Sequence, residues 1–162
     1  MNGLVSEIMN EYAGVTGLSP SAPCPQRYLW TDAFAVCNFL GLYQQTGDAH
    51  YRHLASCLVD QVHAVLGRHR PDDSRTGWIS GLDEQEGVRH PTAGGLRIGK
   101  ELNERRPEGP FDEQLEWDRD GQYYHYLTQW MHSLDRMSVV TGEPACNRWA
   151  IELAKTAHAR FI

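Results

Sequence analysis

Residues 32–66 read DAFAVCNFLGLYQQTGDAHYRHLASCLVDQVHAVL, and this stretch decides the fold. Ala33, Val36, Cys37, Leu40 and Tyr43 recur at the spacing of one helix face. Thr31 stands where an N-cap is expected, with Asp32 in the positive first turn. The spacing predicts a helix over 32–45, ended by Gly47 in the left-handed conformation. Asp48 then opens a second helix to about Leu66, burying Tyr51, Leu54 or Ala55, Leu58, Val62 and Val65. So short a connection makes the two helices lie antiparallel.

The same pattern returns further on. Residues 115–136, LEWDRDGQYYHYLTQWMHSLDR, open with Glu116, Asp118 and Asp120 and continue as an aromatic-rich helix. The expectation is a helix from Asp118 to the stop at Gly142. Tyr123, Leu127, Trp130, Met131 and Leu134 would form its apolar face, and Gln122, His125, Gln129, His132 and Arg136 a polar stripe. A last helix over 143–160 would bury Trp149 or Ala150, Leu153, Ala154 and Ala157. The two helix pairs match at a constant offset of 95 residues (Thr141 against Thr46): Thr46-Gly47-Asp48 corresponds to Thr141-Gly142-Glu143, Ala55 to Ala150, Leu58 to Leu153 and His63 to His158. Paired units of this kind bury their faces by stacking on one another.

Between the pairs, residues 67–114 form a long insertion rich in glycine and proline. Two short runs, 77–80 and 96–98, have strand character and are expected to pair as a small β-hairpin. A loop of this length is functional or disordered, and Trp78, Leu96 and Ile98 argue against disorder. At the other end, residues 1–12 read as a short helix with Leu4, Ile8 and Met9 on one face. Residues 13–27, with two glycines and three prolines, read as a linker. The division is thus an N-terminal segment and linker over 1–27 and a helical domain over 28–162.

A formal net charge of −6, with dispersed basic residues, argues against a nucleic-acid partner. Cys24, Cys37, Cys57 and Cys146 have no metal-binding spacing, so neither a zinc site nor a disulfide framework is expected, and no cofactor. No signal-peptide layout and no run able to span a membrane is visible, which makes the cytoplasm the expected compartment. No phosphate loop and no GxSxG element occurs.

Helix pairs joined by a TGD-x-x-Y-x-x-x-A turn, with acids and aromatics at helix starts and long glycine-rich loops, resemble the (α/α)6 toroids of the six-hairpin glycosidase-like superfamily. Unsaturated glucuronyl hydrolases belong to it, and N-acylglucosamine 2-epimerases have a related toroid. The resemblance covers about residues 28–160. It implies an all-α fold of antiparallel hairpins around an inner and an outer ring, and a carbohydrate or sugar-acid substrate in a funnel at one end. Four or five helices make less than half of such a ring, so the expectation is an incomplete ring, or a homo-oligomer that completes it.

Within that frame Asp118 or Asp120 is the candidate acid and Asp32 its partner carboxylate, the pair that glycoside hydrolysis needs. Each is also read simply as a cap or first-turn acid. Trp30 beside Asp32 and Trp117 beside Asp118 supply faces on which sugar rings stack, as do Tyr123 and Tyr124. His125 is the candidate acid/base of an epimerase. Trp78 and Arg97 are placed at the funnel, Arg97 to hold a sugar carboxylate bidentately. The third reading is a non-catalytic helical module that stacks into an assembly.

Overall fold

The computed structural model describes residues 2–162. It is all-α, with helices α1 (Asn2–Val15), α2 (Leu29–Thr46), α3 (Ala49–Leu66), α4 (Glu84–Arg89), α5 (Glu113–Glu116), α6 (Tyr124–Thr141) and α7 (Pro144–Phe161). α2 packs along α3, α6 along α7, and α2 against α6, while α1 rests on α2. α2 and α6 run in the same direction. Their first residues meet where Tyr28 touches Tyr126, and further along both helices Ser133 donates to the Ala33 carbonyl at 2.8 Å and lies 3.8 Å from Cys37 Sγ. Phe39, Leu58, Leu127, Trp130, Leu134 and Leu153 are fully buried between these helices. Each such side chain contributes roughly 1.5–3 kcal/mol by leaving water.

The two turns of the repeat agree to the level of single hydrogen bonds. Gly47 and Gly142 both adopt left-handed φ, at 71° and 74°. Thr46 Oγ1 donates to the Leu42 carbonyl and Thr141 Oγ1 to that of Met137. Asp48 caps α3 by accepting from His50 N–H at 2.9 Å, and Glu143 caps α7 from Ala145 N–H at 3.5 Å. The equivalence stops at the histidines: His63 is buried and His158 exposed. On α7 the buried residues are Cys146, Leu153 and Ala157, and Ala154 faces out.

Four expectations change. α2 begins at Leu29, three residues earlier than its pattern indicates, with Tyr28 as an N-cap that makes no side-chain bond. Asp32 reaches back from inside the helix to accept from the Tyr28 N–H at 3.0 Å, while Thr31 bonds only the Tyr28 carbonyl. α6 begins at Tyr124 rather than Asp118. The approach to it is pinned to the insertion: Leu102 N–H donates to the Asp118 carbonyl, Asp120 N–H to that of Leu102, and Ile98 N–H to that of Gly121. Gly121, at φ 144°, turns the chain there into α6.

The β-hairpin of 77–80 with 96–98 does not form, and among the described residues there is no strand. Trp78 makes an isolated antiparallel bridge with Arg68, while Arg97 N–H goes to the Leu66 carbonyl. The first run pairs with residues 67–69 just past α3 and the second with Leu66 and Gly121, so neither meets the other. Finally, the segment read as a linker is part of that body. α1 runs on to Val15, and Met9, Ala13 and Leu18 join the core; Leu4 and Ile8 stay exposed.

Candidate functional site

Because α2 and α6 run side by side in one direction, their first turns bring aromatic residues together. The Tyr28 and Tyr126 hydroxyls lie 2.6 Å apart. Trp30 packs against Tyr126 and His125, with ring centroids at 5.3 and 5.8 Å. Burial, and then the bond to Tyr28, push the Tyr126 phenol up to about 12, so it holds its proton across the working range. α5 and the segment leading to α6 close the other side. The result is a cleft of about 510 Å³ lined chiefly by Tyr28, Lys100, Glu113, Trp117, Tyr123 and Tyr126, with Glu116, Arg119 and His125 also on its wall. That is the size of a small-molecule site.

The charges in the cleft are unevenly committed. Glu116 accepts from Arg105 at 3.0 Å and lies 3.2 Å from Arg119 Nε, so its position is fixed. Glu113 makes no ion pair among the described residues. Lys100 sits over the Tyr28 ring, 5.3 Å from its centroid, and has no carboxylate partner among the described residues. Trp117 is 75% exposed, an apolar plate held at the edge of a cleft.

Of the sequence-derived candidates, Trp117, Tyr123 and His125 line this cleft and Trp30 backs it. The others are elsewhere. Asp118 is exposed and outside the cleft. Asp120 is buried, and both its oxygens are occupied: Oδ2 by Arg97 at 2.8 Å and Arg70 at 3.1 Å, Oδ1 by the N–H groups of Gly99 at 2.7 Å and Gly121 at 2.9 Å. Arg97 is spent on the same clamp, since it also donates to the Arg68 and Val65 carbonyls. The space beside this clamp is about 60 Å³, room for waters and not for a sugar ring. Trp78 is buried under Arg68 and donates to Glu84 at 3.2 Å. Tyr124 leans on Phe161.

Asp32 lines a different cavity, of about 520 Å³, at the start of α2. It is buried, bonded by the Tyr12 hydroxyl from α1 and 3.8 Å from Arg27 Nε. Burial pushes its carboxyl up to about 6, against the pull of Arg27, Tyr12 and the Tyr28 N–H. Tyr12 is driven the same way, by burial and then by Asp32. Asp32 and Asp118 therefore share neither the aromatic cleft nor this cavity.

Residues that sequence reasoning passed over are Tyr28, Glu113 and Arg119. None has a motif around it. Their common signal is nearness in sequence to Trp30 or Trp117, which becomes visible only once the start of α2 and the end of α5 are known to face one cleft. Among the described residues no three His, Cys, Asp or Glu side chains are grouped to hold a metal ion, and no helix is long and apolar enough to cross a membrane. Comparison with protein-family models, with curated proteins and with solved structures finds no match.

Proposed function

We propose that the chain is a carbohydrate-active protein that takes a sugar or sugar-acid ring into the aromatic cleft between the starts of α2 and α6. One observation carries this reading. Trp117, Tyr123, Tyr126 and Tyr28 line a cleft that also holds two carboxylates, Glu113 and Glu116, and Lys100, which has no carboxylate partner among the described residues. Sugars are held by this combination, with apolar ring faces on aromatic plates and hydroxyls on charged groups. The side-by-side α2 and α6, with α3 and α7 packed on them, support reading the fold as an arc of an (α/α) toroid with the cleft at its mouth.

The chemistry favoured is hydrolase-like. Glu113, which makes no ion pair among the described residues, is the group able to exchange a proton with a leaving oxygen. Glu116, fixed by two arginines, is the second carboxylate. This assignment moves the paired acids from Asp32 and Asp118 or Asp120 to α5. The test has two parts. Quenching of the exposed Trp117 on titration with a panel of neutral sugars and uronic acids reads binding, and it should vanish in Trp117→Ala. Turnover of aryl glycosides should fall by roughly 10²-fold or more in Glu113→Gln with binding retained. Full turnover in both Glu113→Gln and Glu116→Gln would sink the hydrolase reading.

His125 on the cleft wall favours a second reading, an epimerase that moves a proton off and back onto carbon. It predicts solvent deuterium in a recovered free sugar, absent with His125→Ala.

A further inference from the structure

The aromatic cleft is lined by neither α1 nor α7, and each of these helices turns to solvent a face that no described residue covers. We propose that the two faces are halves of one interface, so that α1 of one copy of the chain docks on α7 of the next, head to tail.

The outer face of α1 is apolar where a surface helix is ordinarily polar. At about 3.6 residues per turn, Leu4, Ile8 and Val15 fall on one side of α1, and Met9 and Ala13 on the other. Met9 and Ala13 are buried in the core, so Leu4, Ile8 and Val15 point away from the body, 65, 54 and 72% exposed. Such a stripe adds nothing to the fold of a single chain and marks a contact surface. The charged residues beside it are both acids. Glu7 and Glu11 are exposed and make no ion pair among the described residues. No Lys or Arg precedes Arg27 in the chain.

α7 carries the complement. Cys146, Leu153 and Ala157 are its buried side. The same helical spacing places Arg148, Ile151 and Lys155 opposite them, all exposed, with Ile151 standing between the two cations. Neither cation makes an ion pair among the described residues. The one acid on α7, Glu152, is turned aside onto His90 Nδ1 at 2.6 Å. Acids around an apolar stripe on α1 thus match bases around an apolar residue on α7.

The two faces do not meet within one chain, since α1 rests on α2, α7 rests on α6, and both stripes point outward. A second copy supplies each face with its partner. Like on like is disfavoured, because α1 against α1 gathers only glutamates and α7 against α7 only cations. The contact is therefore heterologous, and each added copy leaves one face free, so that copies form a row or close into a ring. A contact built on one helix from each copy is small, which makes the association weak, concentration-dependent and sensitive to salt.

Sedimentation velocity on the full chain, from about 10 μM to about 1 mM, tests this. The average mass should climb with concentration, and climb less in about 0.5 M salt than in about 0.02 M. Ile8→Lys and Ile151→Glu should each stay monomeric, with the wild-type thermal melt because both side chains are exposed. Mixed in equal amounts they should form a dimer and nothing larger, since one keeps its α7 face and the other its α1 face. Should Ile8→Lys unfold α1, Glu11→Lys reads the same face. It should weaken association several-fold, and Lys155→Glu added to the same chain should restore it. A monomer at every concentration would leave the stripes to a different protein and overturn the proposal. An Ile151→Glu chain that still self-associates would put α1 on α1 and overturn it too, as would a mixture of the two variants that stays monomeric.

Discussion

Asp120 and Asp32 are both buried acids, and their neighbours give them different consequences. Asp120 ties Arg70, Arg97 and two backbone N–H groups into one knot, which joins the insertion to the approach to α6. Removing it strands two arginines, so Asp120→Ala should cost about 3–5 kcal/mol in urea denaturation. Asp32 instead acts on the pH dependence. Its folded value of about 6 exceeds the ordinary 3.8, so the folded chain binds more protons between these values and stability falls as pH rises through that window. His63 works the other way. Burial pulls its imidazole from 6.5 down to about 3, so the unfolded chain binds more protons there and stability rises with pH. The two slopes oppose each other between about pH 4 and 6. Asp32→Asn should therefore leave stability rising with pH, by at most about 1.4 kcal/mol per pH unit, and His63→Gln should leave it falling. Equal slopes in both variants, measured by urea denaturation at pH 4, 5 and 6, would contradict this.

At the scale of elements the turns offer the sharpest comparison. Gly47 and Gly142 are left-handed, and a Cβ on either meets nothing within 4 Å. Alanine at each should thus cost only the backbone term, about 1–2 kcal/mol, and nearly the same at both positions. A large difference between the two thermal melts would show that the turns are not equivalent. These turns were legible because their signals are local: a glycine stop, an acid cap and a helical period. The starts of α2 and α6 were misread for the opposite reason. What fixes them is tertiary, Asp32 reaching back to Tyr28 in one case and the Asp118–Gly121 backbone bonded to the insertion in the other. The expected β-hairpin failed likewise, since strand character in 77–80 and 96–98 says nothing of which backbone each run will meet. The candidate site shared this fate. Its aromatics were legible as Trp30, Trp117, Tyr123 and His125, but acids next to them in sequence, Asp118 and Asp120, point away or are already bonded.

In the whole molecule, three of the four long helices of the paired units converge on one contact. Trp130 of α6 donates its indole N–H to His63 Nε2 of α3 at 3.1 Å, and Trp149 of α7 packs on the same imidazole with ring centroids 4.9 Å apart. Since the imidazole accepts at Nε2, its proton sits on Nδ1. The protein therefore carries its own reporter of integrity. The Trp130 indole proton can exchange with deuterated solvent only when α3, α6 and α7 separate together, so its exchange should track global unfolding. The indole proton of Trp117, three-quarters exposed, should instead be lost within the dead time of the experiment. A single pair of tryptophan resonances would then follow, in one sample, the stability of the body and the occupancy of the cleft.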